Sequence, residues 1–177
     1  MPGILGKSAL LVVPPTGLYN REERNQAPVK GLLVPALRPP IDLAQIAAVL
    51  ERAGLACDIR DMPAEGTGWR DLRRAIDSAR PDALFVSNTI FTLSADMRAC
   101  SIAKAIDPGI VTITKGVQVS VADREVMEEH GALDIILRGE YEETTAALAD
   151  GSGPEGVEGI TWRRGTRIER TPDRPFI

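Results

Sequence analysis

Residues 39–62 read PPIDLAQIAAVLERAGLACDIRDM. Leu43, Ile46, Ala47 and Leu50 recur three and four apart, which places them on one face of a helix over residues 42–53. Asp42 can cap that helix, Gln45 stands three residues on, and Gly54 ends it. Residues 55–60 then alternate as a strand. Working outward, the same unit recurs. SALLVV at 8–13 reads as a buried strand. Trp69, Leu72, Ala75, Ile76 and Ala79 form a helical stripe that Pro81 stops. ALFV at 83–86 is a third strand. Ser94 caps a helix running to Ile106, ended by Pro108-Gly109, and residues 110–113 make a fourth strand. Ser120 with Asp123 opens a helix that Gly131 closes, and residues 133–137 and 141–149 give a fifth strand and helix. Alternation at this spacing implies an α/β fold. Its core is a doubly wound, five-stranded parallel sheet of flavodoxin-like (Rossmann-like) order 2-1-3-4-5.

After Gly151 the pattern changes. GSGPEG reads as a hinge, and GITWRRGTRIER as a hairpin about Arg164-Gly165 on the sheet edge or flank. TPDRPFI reads as a linker. The expected organisation is therefore a domain over 1–150 and a hairpin with linker over 151–177.

The chain has 177 residues, enough for one domain with a real core. Its net charge of -4 and lack of a dense basic run argue against nucleic acid, and 4% aromatic residues leave little to stack bases on. No apolar run approaches the roughly 20 residues of a membrane span. MPGILGKSALLVVPP is too short and interrupted for a secretory signal. Cys57 and Cys100 lie far apart in no paired motif, which suggests packing roles in a reducing cytoplasm.

In a doubly wound sheet a ligand lies beyond the carboxyl ends of the strands. After strand one comes a long segment, 14–40, opening with Pro14 and Pro15; a loop of that length is usually functional or disordered. After strand three comes SNTIFT, with Ser87, Asn88 and Thr89. After strand four comes TKGVQVS, with Lys115, Gly116, Val117 and Gln118. After strand five comes RGEYEE, with Gly139, Glu140, Tyr141 and Glu142. The opposite ends carry helix stops such as Gly54, Pro81 and Gly131. No Gly-x-Gly-x-x-Gly follows strand one and no P-loop is present, which argues against dinucleotide and nucleotide sites. A phospho-acceptor would need acids where Pro14-Pro15 and Ser87-Asn88 stand. The one histidine, His130, falls at a helix end on the other side of the sheet, so no metal cluster and no nucleophile–base pair can be built, and no catalytic residue is assigned. What remains is a surface of hydroxyls, amides and backbone groups, suited to a large neutral ligand rich in amides. Gly116 and Gly139 allow close approach, and Ser87, Thr89 and Ser120 leave room for a ligand tail. Carboxylates after Gly139 also favour a helix start.

Four pieces in order resemble the cobalamin (vitamin B12)-binding domain at the amino end of radical S-adenosylmethionine enzymes. They are the opening stretch at 39–62, PDALFVSNTIFT at 81–92, KGVQVS at the place of Gly-Gly-x-His-x-Ser, and GEYEET at the place of Gly-Glu-x-Glu. GITWRRGTRIERTPDRPFI is similar to that family's small hairpin before the catalytic barrel. The resemblance implies a corrinoid across the strand ends, touched by the first loop and the turns after strands three, four and five. It implies that Glu140 or Glu142 accepts hydrogen bonds from corrin amides or holds neighbouring loops. Lys115 stands for a glycine of the family pattern and could reach the corrin edge or a phosphate, and Gln118 stands for the histidine. The Asp-x-His-x-x-Gly motif is absent, which implies cobalt bound without a histidine from this chain. The Cys-x-x-x-Cys-x-x-Cys motif is absent too. S-adenosylmethionine and a [4Fe-4S] cluster would then belong to a radical S-adenosylmethionine catalytic domain, in cis or in trans. The altered KGVQ turn favours an alternative, a cofactor-free flavodoxin-like domain that binds a partner protein.

Overall fold

The computed structural model describes residues 4–19, 28–29, 38–151 and 153–175. Seven strands form one sheet in the order β2-β1-β3-β4-β5-β6-β7. They are β1 (Ser8–Val13), β2 (Ala56–Asp61), β3 (Ala83–Val86), β4 (Val111–Lys115), β5 (Ile135–Leu137), β6 (Ile160–Arg164) and β7 (Arg167–Arg170). The first five are parallel, in the expected 2-1-3-4-5 order, and the β6–β7 hairpin continues the sheet antiparallel from β5.

Successive side chains of a strand point to opposite faces. Leu10, Val12, Leu84, Val86 and Ile136 enter one core, with Leu72, Ile76, Cys100 and Met127. Ala9, Leu11, Phe85, Ile113, Ile135 and Leu137 enter the other, with Leu43, Ile46, Leu50 and Leu148. Helices α3 (Trp69–Ala79), α5 (Arg98–Ile106), α6 (Val117–Val121) and α7 (Asp123–Glu129) therefore cover one face of the sheet. Helices α1 (Ile41–Arg52) and α8 (Glu142–Ala149) cover the other. Two short helices complete the set, α2 (Met62–Glu65) and α4 (Leu93–Asp96). Both cysteines are free; burial pushes the Cys100 thiol up to about 12 and, with help from Glu51, the Cys57 thiol up to about 11. Neither is poised as a nucleophile.

Three local expectations are corrected. Pro40, not Asp42, occupies the N-cap of α1, and no side chain caps it. Asp42 sits in the first turn, where its carboxylate serves a different partner, Lys115. The helix expected from Ser94 starts at Leu93 and breaks at Met97 into α4 and α5, so Ser94 caps nothing. The helix expected at Ser120 begins at Val117, and Asp123 instead opens a separate helix with its carboxylate turned to the hairpin.

That last contact locks the sheet edge. Arg138 follows β5 and is only 3% exposed. Its guanidinium donates to Thr161 Oγ1 at 3.0 Å and to the Thr171 carbonyl at 2.6 Å, and pairs with Asp123 at 3.4 Å. Asp123 also accepts from Thr161 and from Arg170 Nε at 3.0 Å. Burial pushes the Asp123 carboxyl up, but the hydrogen bonds from Thr161, Arg170, the Arg124 amide and Arg138 outweigh it and hold it below the usual carboxylate range. Arg163 adds a second tie, donating to the carbonyls of Leu133 and His130 and, most closely, to that of Met127 at the end of α7. Removing Asp123 takes away the buried carboxylate of Arg138 and leaves only that of the exposed Asp173, 3.1 Å away. Asp123→Ala is expected to lower stability by about 3 kcal/mol or more. Urea unfolding followed by circular dichroism checks this, and a loss under about 1 kcal/mol would show the network to be ornamental.

Candidate functional site

The carboxyl ends of β1, β3, β4 and β5 present four turns side by side. Strand order reverses at β1, which has β2 on one side and β3 on the other.

The turn after β3 is tied to β4 by its own side chain. Asn88 Nδ2 donates to Thr114 Oγ1 and to the Lys115 carbonyl, both at 2.8 Å, and Thr114 Oγ1 donates to the Val86 carbonyl at 2.7 Å. The donors of Asn88 are thus used within the protein. Thr89 Oγ1 lies 2.8 Å from Thr92 Oγ1. Thr92 Oγ1 donates to Asp96 Oδ2 at 2.5 Å, and Thr16 Oγ1, from the turn after β1, donates to Asp96 Oδ1 at 2.6 Å. Pro14 precedes that turn and its carbonyl accepts from the Thr16 amide at 2.8 Å, with Pro15 between. These groups, with Val13, Gly17, Tyr19 and Ser87, line a cavity of about 20 Å³, room for one water. The Tyr19 ring stacks with that of Phe91, their centroids 6.3 Å apart. Residues 20–27 and 30–37 of the long first segment lie outside the described residues.

On the α1 side, β4 ends in Lys115, whose ammonium meets Asp42 at 2.9 Å and lies 4.8 Å over the Tyr141 ring. Tyr141 donates to Gln45 Oε1 at 3.0 Å, and Ser87 Oγ stands 3.5 Å from the same Asp42 oxygen. Lys115, Tyr141 and Ser87 are brought together, and the ammonium is engaged by protein groups.

Gly116 has φ +138°, a conformation that excludes ordinary side chains, and an added Cβ would meet only Asn88 at 3.7 Å and Val119 at 4.0 Å. Gly139 has φ +65° with nothing within 4 Å of an added Cβ. Ser120 links the two turns, donating to the Gly116 carbonyl at 2.7 Å and accepting from the Gly139 amide at 3.3 Å. Gln118 Oε1 is buried with no hydrogen-bond partner among the described residues. Glu142 and Glu143 stand in the first turn of α8, as the sequence suggested, and Glu143 holds Arg174 at 3.2 Å. Glu140 is exposed beside Gly139.

Apolar side chains rim this edge. Leu18, Ile41, Ile90, Phe91, Val117 and Val121 are exposed there; Ile59, on β2, is the other large hydrophobic of that kind among the described residues. His130 caps the far end of α7 and lies outside this surface. No group of three metal-ligating side chains exists among the described residues, and no helix there is long and apolar enough to cross a membrane.

The family model for the B12 binding domain matches residues 33–149. The chain belongs to the B12-binding domain family. Two kinds of likeness accompany it. An uncharacterized methyltransferase of Pyrococcus horikoshii is 26% identical over 172 residues, covering 95% of this chain and 35% of that protein. The radical S-adenosylmethionine methyltransferase TsrM of Kitasatospora setae, solved with tryptophan substrate and an S-adenosylmethionine analogue, superposes with TM-score 0.70 at 15% identity, over 94% of this chain and 30% of that one. The cobalamin-dependent S-adenosylmethionine radical enzyme OxsB gives 0.68 at 15%, over 96% and 22%. The two structures share the fold, and the chain spans about a third of the length of the curated relative.

Cobalamin is the cofactor of a B12-binding domain, and the residues here fit it. Two open glycine turns would admit a flat macrocycle to the backbone, and the exposed apolar side chains would meet its hydrocarbon edge. Sequence reasoning missed Asp96, Thr16 and Thr92, because partners 80 residues apart leave no local pattern. It also missed Arg138; an arginine closing a buried apolar strand was the available signal.

Asp96 is 1% exposed. Burial pushes its carboxyl up to about 6, against hydrogen bonds from Thr16, Thr92 and the Thr89 amide that favour the charged form. The folded chain thus holds this proton more tightly than the unfolded one. The resulting stability is present below the ordinary carboxylate value and is lost as pH rises through about 6. Between pH 4.5 and 7 the wild type should lose about 2 kcal/mol relative to Asp96→Asn. Paired urea titrations measure this; parallel pH profiles would remove Asp96 as the cause.

Proposed function

We propose that this chain is the cobalamin-binding module of a radical S-adenosylmethionine protein of the methyltransferase type. The corrin lies across the carboxyl ends of β1, β3, β4 and β5 and takes no histidine ligand from this chain. The observation that carries the reading is the strand-end surface itself. It is open at Gly116 and Gly139 and rimmed by exposed apolar side chains. The position of His130 at the far end of α7 supports a cobalt bound without it.

The chain's own groups divide the work. Gly116 and Gly139 let backbone approach the ring. Glu140 and Glu142 accept from ligand amides, while Val117, Ile90 and Phe91 cover apolar surface. Asn88, Ser87, Lys115 and Tyr141 hold the turns in place through the bonds described above. When bound, cobalamin supplies a cobalt able to carry a methyl group. S-adenosylmethionine and an iron–sulfur cluster belong, on this reading, to a catalytic domain joined in cis or in trans; the reaction therefore needs more than this chain. The methyltransferase relative and the two radical S-adenosylmethionine structures support that assignment. The exposed apolar rim also suits a second reading, a cofactor-free surface for a partner protein.

Titration with hydroxocobalamin separates the two. The wild-type chain should elute red from gel filtration at near one-to-one. Gly139→Trp puts a large side chain into open space above the site and should abolish the colour. A colourless wild type at high micromolar ligand would favour the partner-binding reading.

A further inference from the structure

We propose that Asp96, Thr92 and Thr89 form a hydroxyl relay through which a bound corrinoid takes a hydrogen bond from the Thr89 hydroxyl, and that Asp96 gains a proton as it does so. This rests on the reading that the strand ends hold a corrinoid. It gives a binding role to a buried acid that the site as described leaves unused, and it fixes the ligand group at Thr89 as an acceptor oxygen, such as a carboxamide carbonyl.

Asp96 is the last residue of α4 and is buried. Its two oxygens join two turns of the site. Oδ1 accepts from Thr16 Oγ1, after β1, at 2.6 Å, and Oδ2 accepts from Thr92 Oγ1 at 2.5 Å. Thr92 Oγ1 in turn stands 2.8 Å from Thr89 Oγ1, and either hydroxyl can be the donor. Thr89, Thr92 and Asp96 all line the one-water cavity between those turns. A hydroxyl carries one hydrogen and a carboxylate carries none. With Asp96 ionised, Thr92 gives its hydrogen to Oδ2. The contact with Thr89 then uses the Thr89 hydrogen, and Thr89 has only lone pairs left for a ligand. With Asp96 neutral the chain reverses. Oδ2–H donates to Thr92 Oγ1, Thr92 donates to Thr89 Oγ1, and the Thr89 hydrogen is released for another acceptor. The bond from Thr16 to Oδ1 survives in both states.

Burial pushes the Asp96 carboxyl up to about 6, and only the hydrogen bonds from Thr16, Thr92 and the Thr89 amide oppose it. Few titratable groups face it among the described residues. The turn after β1 brings Tyr19, and the turn after β3 brings only the neutral Ser87, Asn88, Thr89 and Thr92. Helix α6 has no titratable side chain. Arg98, two residues on in α5, lies over the Trp69 ring at 4.8 Å. Lys115, whose carbonyl accepts from Asn88, turns its ammonium to Asp42 beneath α1, across the sheet from α4. A ligand laid over these turns keeps water from the carboxyl, which favours the neutral form. It also supplies the acceptor that the neutral relay alone can serve. Both effects act in one direction, and the bound state holds the proton more tightly than the free one. Affinity is therefore highest below about 6 and falls as pH rises through that value.

The test uses the full chain, as wild type, Asp96→Asn and Thr92→Val. Each is titrated with hydroxocobalamin between about pH 5 and pH 7.5, and bound corrinoid is read from visible spectra after ultrafiltration. Asp96→Asn cannot ionise, and its amide donates to Thr92 as the neutral acid does, so it serves as the reference that cancels any titration of the ligand itself. Relative to it, wild-type affinity should fall about fivefold or more across the range. Thr92→Val cuts the relay and should follow Asp96→Asn. Calorimetry near pH 6.5, in two buffers of unequal ionisation heat, should show the wild type taking up about half a proton more per corrinoid than Asp96→Asn. An Asp96 with a merely structural role would change affinity without moving a proton. Equal pH slopes in wild type and Asp96→Asn overturn the proposal, and so does a Thr92→Val that keeps the wild-type slope. A wild type that binds no hydroxocobalamin at any of these pH values overturns the reading of the site and this proposal with it.

Discussion

One row of side chains crosses five neighbouring strands. Leu11 pairs in register with Phe85, Phe85 with Ile113, Ile113 with Ile135, and Ile135 with Trp162. All five belong to the core beneath α1 and α8. A slip of one residue in any strand would turn its apolar set to the opposite face, so the row fixes every register at once. The site inherits that constraint. Two residues beyond the row, on the same face, stand Ser87 on the β3 side and Lys115 at the end of β4. Their adjacency lets a single carboxylate, Asp42 on α1, serve both. The turns that follow, at Asn88 and Gly116, come out level with one another for the same reason.

This explains a division among the side chains at the strand ends. Several that the sequence offered as ligand contacts are spent inside the protein: Asn88 on β4, Ser120 on two turns, Lys115 on Asp42 and Tyr141. Their effect on a ligand is exerted through position. They hold the backbone at Gly116 and Gly139, which is what faces outward. The buried Arg138 acts in the same sense from the other side. By fastening the hairpin to Asp123 it anchors the residue immediately before Gly139 and makes β6 and β7 part of the sheet that carries the site.

The fold was legible because its signals are local and periodic. Apolar spacings of three and four, strand runs bounded by Gly54, Pro81 and Gly131, and the turn at Arg164-Gly165 each lie within a few residues of one another. The strand order 2-1-3-4-5 follows from chirality rules once the alternation is seen. The turns at the carboxyl ends of the strands were legible for the same reason. What escaped was tertiary. Asp42 looks like a cap in sequence, yet its ion pair with Lys115 across the sheet places it elsewhere. Asp96 looks like an ordinary helix residue until Thr16 is brought against it from the far end of the domain. A hydrogen bond across 80 residues leaves no trace in spacing, and the break at Met97 that orients Asp96 has no proline or glycine to announce it.

The electrostatics of the edge point to the kind of ligand it can take. The Lys115 charge is matched by Asp42, that of Glu143 by Arg174, and that of Asp123 by Arg138 and Arg170. Asp96, buried beneath the first and third turns with no cation against it, is driven toward its neutral form. Each pairing withdraws a charge that would otherwise have to be desolvated when a large ligand covers the surface, and an uncompensated charge buried there would cost several kcal/mol, on the order of the whole affinity of a millimolar ligand. With these charges matched and the carboxylates of Glu140 and Glu142 beside them, the edge offers no attraction to a phosphate or a polyanion. It suits a broad molecule that is apolar across its edges and hydrogen-bonding at its periphery. What the edge leaves open for such a molecule is the space beside Gly116 and Gly139, where no side chain stands between backbone and solvent.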